Sequence, residues 1–212
     1  MKYTIQNIKE RFQKKERIKF LFFWGHTVKD EITKSCFSQW FPVRFEEDNI
    51  IYKTAEHYMM AGKAKLFNDH ETLEKILQSA TPNQAKTLGR KVKNFDPKLW
   101  DEHKYQIVKN GNLLKFSQNK KIKEFLLSTG DKVLVETSPY DRIWGIGMLE
   151  TDQRAENPLL WNGQNLLGFA LMEARDELRR QKHTPNTKND DKKDLCFRKW
   201  KLIMGNLSSV IC

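Results

Sequence analysis

The sequence predicts a mainly helical α+β domain with a small sheet. Between residues 54 and 128, successive segments begin with a helix-capping residue and continue with helix-forming residues. Short runs of aromatic and β-branched residues, which are typical of strands, lie on both sides of this helical region. The chain has 212 residues, of which 39% are hydrophobic, enough to bury a full core. We therefore expect one domain in which helices outnumber strands.

The strands are predicted from short apolar segments. Residues 17–24 predict a strand that becomes buried along its length and ends at a Gly-His pair. Residues 43–45 and 50–52 flank four polar residues, a pattern typical of a hairpin. Residues 132–136 predict a last strand, which stops before Pro139 because proline has no N–H to donate to a sheet.

The helices are predicted from their capping residues and from the length of the segments that follow. A Thr-Pro pair and an Asp-Pro pair place a cap and a first-turn proline at two of the starts. The predicted helices run from Thr54 to about Phe67, from Asn68-Asp69 to about Gln78, from Thr81-Pro82 to about Gly89-Arg90, from Asp96-Pro97 to about Phe116, over 120–127 and over 166–180. Residues 138–165 are rich in Gly, Pro and Asn and predict a long irregular segment, which in a compact domain is usually functional or disordered.

The excess positive charge lies at the two ends of the chain. The net charge is +11. Residues 1–20 carry seven Lys and Arg against two acids, residues 179–212 carry nine against three, and the sequence between them is neutral. We divide the chain into a basic lead-in at 1–16, a domain at 17–181 and a basic extension at 182–212. The basic ends would either hold a polyanion such as DNA, with salt-dependent affinity, or only aid solubility.

Several classes of protein are excluded by what the sequence lacks. No apolar run reaches the length of a membrane-spanning helix, and the polar start is unlike a secretory signal. Cys36, Cys196 and Cys212 are widely spaced, and neither they nor the five histidines have metal-ligand spacing. Nucleotide-binding loop motifs are also missing. We expect a cytoplasmic protein with no metal, no cofactor and no membrane partner, and we leave its oligomeric state open.

The run from Ser138 to Met148 is the first candidate functional segment. Asp141 and Trp144 place a carboxylate and a flat indole where both can meet one small, ring-shaped partner. The glycines at 145 and 147 allow a close backbone approach or a positive φ. The alternative is a surface turn that buries its tryptophan.

The helix predicted after Thr54 is the second candidate. Glu56 and Lys63 are seven residues apart, which places them on one face two turns apart, with Met59 and Met60 between them. The start of the helix favours the charged form of Glu56. The alternative is an exposed ion-pairing face with the methionines as core filler. His57 points away from this face, and we interpret it as structural.

These segments belong to an ordered set of motifs that resembles the NADAR superfamily, whose name refers to NAD and ADP-ribose. The resemblance runs from about Phe22 to Leu178. The matching motifs, in the family's order, are Phe22-Phe-Trp-Gly25, Cys36-Phe-Ser-Gln-Trp40, Thr54-Ala-Glu-His-Tyr58 with Lys63, Leu88-Gly-Arg90, Trp100 with Lys104, Leu113-Leu-Lys-Phe116, Leu134-Val-Glu-Thr-Ser-Pro139, Asp141-Arg-Ile-Trp-Gly-Ile-Gly147, Gly163-Gln-Asn-Leu-Leu-Gly168 and Leu171-Met-Glu-Ala-Arg175.

The resemblance implies cleavage of the N-glycosidic bond at ribose C1. The family's substrates are early riboflavin-pathway pyrimidine ribotides and, in other members, ADP-ribose attached to guanine in DNA. By motif match, Glu56 is the essential carboxylate, with Asp141 and Trp144 in the same pocket, and Trp100 also matches a family position. Gln39 stands where many members have Asn, a difference that would alter how the substrate is held.

The chemistry of these residues leaves two mechanisms open. Departure of a base builds positive charge on ribose, which a carboxylate near C1 stabilises while a second acid protonates the base. Alternatively, a desolvated Lys63 attacks C1 and forms a Schiff base with the opened sugar. The candidate catalytic residues are therefore Glu56, Lys63 and Asp141. The candidate substrate-binding residues are the indoles Trp24, Trp100 and Trp144 for stacking, Arg90 for phosphate, and the motif residues Gly25, Gly145 and Asn165.

The favoured function is hydrolysis of ADP-ribosyl-guanine in DNA, because the basic ends suit a polyanionic substrate. A riboflavin-intermediate glycosidase is the alternative within the same class, although a ribotide has no need of basic ends. A non-enzymatic module that binds NAD or ADP-ribose is the alternative of another class.

Overall fold

The computed structural model describes residues 1–183. Residues Met1–Arg179 form one compact unit. The helices of the described residues are α1 (Ile5–Gln13), α2 (Ala55–Leu66), α3 (His70–Gln78), α4 (Pro82–Gly89), α5 (Pro97–Gln118), α6 (Lys120–Ser128) and α7 (Leu166–His183), and their strands are β1 (Phe20–Phe23), β2 (Phe45–Glu47), β3 (Ile50–Tyr52) and β4 (Val133–Glu136). The predicted α+β, mainly helical class is confirmed. Most of the extension predicted at 182–212 lies outside the described residues, as do Cys196 and Cys212.

The strands form two separate pairs in the described part of the chain. Strands β1 and β4 run parallel, in a register that sets Phe20 beside Val133 and Phe23 beside Glu136. Strands β2 and β3 form the predicted antiparallel hairpin. The small sheet expected from sequence is thus divided in two, and the parallel pair carries the apolar strands that enter the core.

Helix α2 lies at the centre of the helical part and packs against α3, α4 and α5. Its first seven residues are all buried. Threonine and aspartate side chains cap the helices where the sequence predicted: Thr54 accepts from the His57 N–H at the start of α2, and Thr81 forms a capping box at α4. These local caps fix where α2 and α4 begin.

The N-terminal lead-in packs against the rest of the compact unit. Ile8 of α1 is fully buried, and the Tyr3 hydroxyl donates to Asp176 of α7. The Lys2 backbone N–H donates to Glu173 of the same helix. Residues 1–13 are therefore part of the folded unit.

The long segment between β4 and α7 is irregular, as predicted, and it folds back onto β4. It contains two short 3₁₀ helices, Gln153–Glu156 and Pro158–Leu160. The Ile146 N–H donates to the Glu136 carbonyl at 2.9 Å, and the Asn162 N–H donates to the Ile146 carbonyl at 3.0 Å. These bonds hold the loop over the end of the parallel pair.

Candidate active site

One cavity lies where the ends of β1 and β4 meet the start of α2. Its volume is about 710 Å³, within the range typical of small-molecule sites. The residues lining it are Trp24, Gly25, His26, Ser38, Gln39, Trp40, Glu56, Met59, Met60, Lys86, Arg90, Trp100, Glu136, Ser138, Tyr140, Asp141, Ile143 and Trp144. The cavity thus combines three carboxylates, two cations and several aromatic rings.

Glu56 is held in the first turn of α2. Its backbone N–H donates to the Gln39 carbonyl at 2.9 Å, and the residue is only 5% exposed. The pKa of Glu56 is raised to about 7, mainly by burial and in smaller part by the charge of Asp141, whereas Lys86 and a hydrogen bond from Trp40 act in the opposite direction. The helix start was expected to favour the charged form, and burial outweighs that effect.

Glu136 is a second buried carboxylate in the cavity, at the last position of β4. The residue is half-buried, but its Oε2 atom is closed to solvent and has no hydrogen-bond partner. The pKa of Glu136 is raised to about 8, mainly by burial and in smaller part by the charges of Asp141 and Glu56. Two carboxyl groups with raised pKa therefore share one cavity.

Asp141 shapes the loop wall of the cavity. Its Oδ1 atom accepts from the backbone N–H groups of Ile143 at 2.9 Å and Trp144 at 2.7 Å. This side-chain turn fixes the backbone that carries the Trp144 indole. Asp141 and Trp144 are thereby brought together on one wall, as the spacing predicted.

Aromatic and cationic groups complete the lining. Trp24 is 50% exposed and Trp100 and Trp144 are partly buried, so all three predicted indoles lie at the cavity. Lys86 lies on α4, and Arg90, four residues later, directly follows the helix. Both side chains reach the same cavity. This pair can bind a phosphate or diphosphate.

Lys63 does not line the cavity with Glu56. Its ammonium group donates to the Gly89 carbonyl at 2.9 Å and lies 3.9 Å from the centre of the Phe95 ring. Burial lowers the pKa of Lys63. The two residues share a helix, but the α4 carbonyl and Phe95 hold the Lys63 amine outside the cavity lining, 5.7 Å from the centre of the Trp100 ring, which does line the cavity.

Gly145 and Asn165 also lie outside the cavity wall and support it from behind. A Cβ atom at Gly145 would lie 2.8 Å from the Glu136 carbonyl, so the close approach is to β4 and not to a ligand. The Asn165 side chain accepts from the Glu136 N–H at 3.0 Å and donates to the Leu134 carbonyl at 2.9 Å. Asn165 is fully buried and has a φ of 55°, which asparagine tolerates.

The loop that carries Gln39 and Trp40 is supported by a buried lysine that the sequence reasoning did not single out. Lys115 of α5 is 0% exposed, and its Nζ donates to the Ser38 carbonyl at 2.8 Å. Burial lowers the pKa of Lys115 to about 7. Gln39 also lines this cavity, and its buried Nε2 atom has no hydrogen-bond partner. This is the position at which many members of the family have Asn.

Several lining residues were not among the predicted site residues, and for three of them the sequence holds a signal. Glu136 is an acid at the end of the apolar run Val133-Leu-Val135, inside a matched motif. Lys86 precedes Arg90 by one helical turn. Trp40 ends a matched motif. In contrast, His57 bonds to the Thr54 hydroxyl and the Ser79 carbonyl, in keeping with a structural interpretation.

Residues 1–183 contain neither a cluster of metal-ligating side chains nor a membrane-spanning helix. No group of three or more His, Cys, Asp or Glu side chains in this range is arranged to hold a metal ion. No helix in this range is both long and apolar enough to cross a membrane.

Comparison with known proteins identifies a family. The family model of the NADAR domain matches residues 22–179. N-glycosidase R617 of Acanthamoeba polyphaga mimivirus is 47% identical over 169 residues, which cover 76% of this chain and 98% of the relative. N-glycosidase YbiA of Escherichia coli strain K12 is 31% identical over 144 residues, which cover 68% of this chain and 79% of YbiA.

The fold is shared with a solved structure from the same family. The NMR structure of E. coli YbiA superposes with a TM-score of 0.62 at 26% identity, over 81% of this chain and 91% of YbiA. The chain therefore belongs to the NADAR domain family, and it is an enzyme of the class that hydrolyses N-glycosyl bonds.

Proposed function

We propose that this N-glycosidase releases ADP-ribose from guanine in DNA, by hydrolysing the bond between ribose C1 and a nitrogen of the base. The observation that carries the proposal is the placement of Glu56 and Asp141 in one cavity with stacking indoles and a pair of cations. Hydrolysis of an N-glycosyl bond needs a carboxylate beside C1, a flat surface for the base and, for ADP-ribose, a binding site for its diphosphate.

The carboxylates provide the chemistry. As the bond to the base breaks, ribose takes on positive charge, and a carboxylate placed near C1 stabilises that charge or activates the attacking water. We assign this role to Glu56, which is buried and receives a hydrogen bond from Trp40. Asp141 holds the loop that carries Trp144 and adds a second negative charge.

Substrate binding is assigned to the aromatic and cationic groups. Trp24, Trp100 and Trp144 offer faces on which a base can stack, each worth about 1–3 kcal/mol. Lys86 and Arg90 are assigned to the diphosphate, because both cations reach the cavity from one end of α4. Gly25, with a φ of 80°, lets the chain turn at the mouth beside Trp24.

Two features support a substrate attached to DNA over a pyrimidine ribotide. Tyr140 at the cavity mouth is 90% exposed, and Ile143 beside it is 43% exposed, so apolar surface extends beyond what a small ribotide would cover. Residues 1–20 carry a net positive charge that a polyanion would neutralise. We infer that DNA next to the modified guanine contacts this mouth.

The proposal is tested by giving the protein both substrates. Guanine-ADP-ribosylated oligonucleotide and an early riboflavin-pathway pyrimidine ribotide are incubated separately with the protein, and free ADP-ribose and free base are followed by chromatography. We expect a higher kcat/KM for the oligonucleotide, falling as salt is raised. Preferential cleavage of the ribotide would replace our substrate with the alternative. A matched Glu56→Gln protein controls for contaminating hydrolases.

A further inference from the structure

Glu136 is a carboxyl group that the mechanism above leaves unused. It ends β4, lines the same cavity as Glu56, and its Oε2 atom is closed to solvent without a hydrogen-bond partner. A buried carboxylate oxygen without a donor is costly, whereas a protonated carboxyl group brings its own donor and carries no charge. The geometry therefore favours a proton on Glu136 in the free enzyme.

The groups that act on Glu136 favour the same form. Asp141 on the loop and Glu56 on α2 both place negative charge near it, and Lys86 of α4 is the positive group that opposes them. Closely placed carboxylates do not all ionise together, so one of them keeps its proton. Burial raises the pKa of Glu136 to about 8, above the value of about 7 for Glu56.

The other two carboxylates are committed to different tasks. Glu56 accepts a hydrogen bond from the Trp40 side chain, which suits an acceptor. Asp141 uses its Oδ1 atom to accept two backbone N–H groups of its own loop. Glu136 has no comparable side-chain bond, and its position is set through its backbone, which Asn165 and Ile146 hold.

We propose that Glu136 is the general acid of the reaction, donating its proton to the nitrogen of the departing base. This inference rests on the proposed N-glycosidase reaction, and it applies equally to a modified guanine and to a ribotide. It assigns different tasks to the two glutamates, with Glu136 serving the leaving group and Glu56 serving C1.

The step balances without any further reactant. As the C1–N bond breaks, its electron pair stays with the base nitrogen, which takes the proton from Glu136 and leaves as the neutral base. Water then forms the new C1–O bond and gives one proton to the Glu56 carboxylate. That proton returns to Glu136 through solvent, which restores the starting forms of both groups. The products are the free base and ribose with a hydroxyl at C1.

The first test detects the proton on Glu136 directly and needs no substrate. Infrared difference spectra of wild type against Glu136→Gln are recorded from pH 6 to pH 9. We expect the wild type to show, at pH 7, the carbonyl stretch of a protonated carboxyl group that the variant lacks, and we expect this band to fade as pH rises through about 8. If the two spectra do not differ in this band at pH 7, Glu136 is ionised and the proposal fails.

The second test measures the step itself, on whichever N-glycoside the wild type cleaves. Glu136→Gln keeps the shape but cannot donate the proton, so kcat should fall roughly 10²–10⁴-fold with KM little changed. In the wild type kcat should decrease above pH 8, and the variant should lack this decrease. Glu136→Asp, which retains a carboxyl group, should recover part of kcat.

Controls separate this role from a structural one and from the choice of substrate. Glu124→Gln, on the exposed face of α6, should match wild type in both tests. Thermal melts of each variant test whether the fold is retained. A loss of activity that comes only from a higher KM, or a kcat within threefold of wild type, would overturn the general-acid role. Preference for the ribotide would overturn only the proposed substrate, because the same kcat comparison is then made on the ribotide.

Discussion

The cavity has two walls that are built in different ways. The helical wall carries Glu56, which is positioned by the Thr54 cap only two residues before it. The loop wall consists of the end of β4, with Glu136, and the loop that carries Trp144. Asn165, 29 positions beyond Glu136, accepts from the Glu136 N–H through its side chain and donates its own backbone N–H to the Gly145 carbonyl of the loop. Local capping positions the carboxyl group to which we assign the C1 side of the reaction, and long-range hydrogen bonds position the other side of the site. Loss of a contact should therefore have different consequences on the two walls.

The largest effect is expected from the helical wall. Glu56→Gln keeps the size and the hydrogen bonding of the side chain but removes the negative charge that faces C1. Hydrolysis should fall roughly 10²–10⁴-fold or more while the melting temperature is kept or raised, because a buried charge is removed. Steady-state rates and thermal melts measure both, with Glu74→Gln, an exposed glutamate of α3, as the matched control. Turnover close to that of wild type would remove Glu56 from the mechanism.

The pH dependence of stability should distinguish the carboxyl groups of the two walls. Both have a folded pKa above the ordinary value of 4.5, about 7 for Glu56 and about 8 for Glu136. Between these values and 4.5 the folded state holds more protons than the unfolded state. Lys115, whose pKa burial lowers to about 7, contributes in the opposite direction above pH 7, in wild type and variants alike. The contribution of the two glutamates to the free energy of unfolding should be fully present below about pH 4.5, fall as pH rises to about 8 and then level off.

Urea unfolding at pH 5 and at pH 8.5 measures this fall. Glu136→Gln should reduce it more than Glu56→Gln does, because the pKa of Glu136 is further from 4.5. Removing either carboxyl group also makes the pKa of the other less raised. The double variant should therefore reduce the fall in unfolding free energy by less than the sum of the two single reductions. An equal fall in wild type and Glu136→Gln would show that this carboxyl group is charged in the folded protein.

The loop wall should be sensitive to the loss of one asparagine. Asn165→Ala removes two buried hydrogen bonds to β4 and places alanine at a φ of 55°, and it should lower stability by about 1–3 kcal/mol. Asn165→Gly loses the same bonds without the backbone strain and should cost less. Both should also lower kcat/KM, because the end of β4 that carries Glu136 loses its side-chain bonds to Asn165. Asn83→Ala, at an exposed site of α4, should change stability by no more than about 0.5 kcal/mol.

The difference between local caps and long-range hydrogen bonds also explains how much of the structure could be predicted from sequence. Helix starts were predicted to within about a residue, because Thr54, Asp69, Thr81 and Asp96 cap their helices through bonds to residues two or three positions on. The fold class followed from these signals and from the apolar strands.

The placement of site residues was predicted less completely, because it depends on contacts distant in sequence. Gly145 and Asn165 were expected at the substrate, and instead they pack against the backbone of β4. The role of Asn165 could not be derived from spacing, since nothing local pairs it with Leu134. The raised pKa of Glu136 likewise comes from burial and from charges on α2 and the loop. Such surroundings exist only once the two walls meet.

The smallest effect is expected at Lys63, which lies on the helix of Glu56 but behind the cavity wall. A covalent nucleophile must bring a neutral amine to C1. Burial lowers the pKa of Lys63, as that role requires, but its amine is bound to the Gly89 carbonyl and lies over Phe95. We expect a positioning role, in which Lys63 fixes the end of α4 and hence Arg90.

Two measurements on Lys63 separate these roles. Lys63→Arg keeps a cation that can donate to Gly89 but cannot attack C1, since guanidinium stays protonated, so its kcat should remain within about tenfold of wild type. Borohydride added during turnover should leave the mass of the tryptic peptide that contains Lys63 unchanged. Lys63→Ala, which loses the bond, should weaken binding through Arg90 and raise KM more than it lowers kcat. A trapped adduct on Lys63 together with an inactive arginine variant would identify Lys63 as the covalent nucleophile. Glu56 would then act on the Lys63 amine instead of on water.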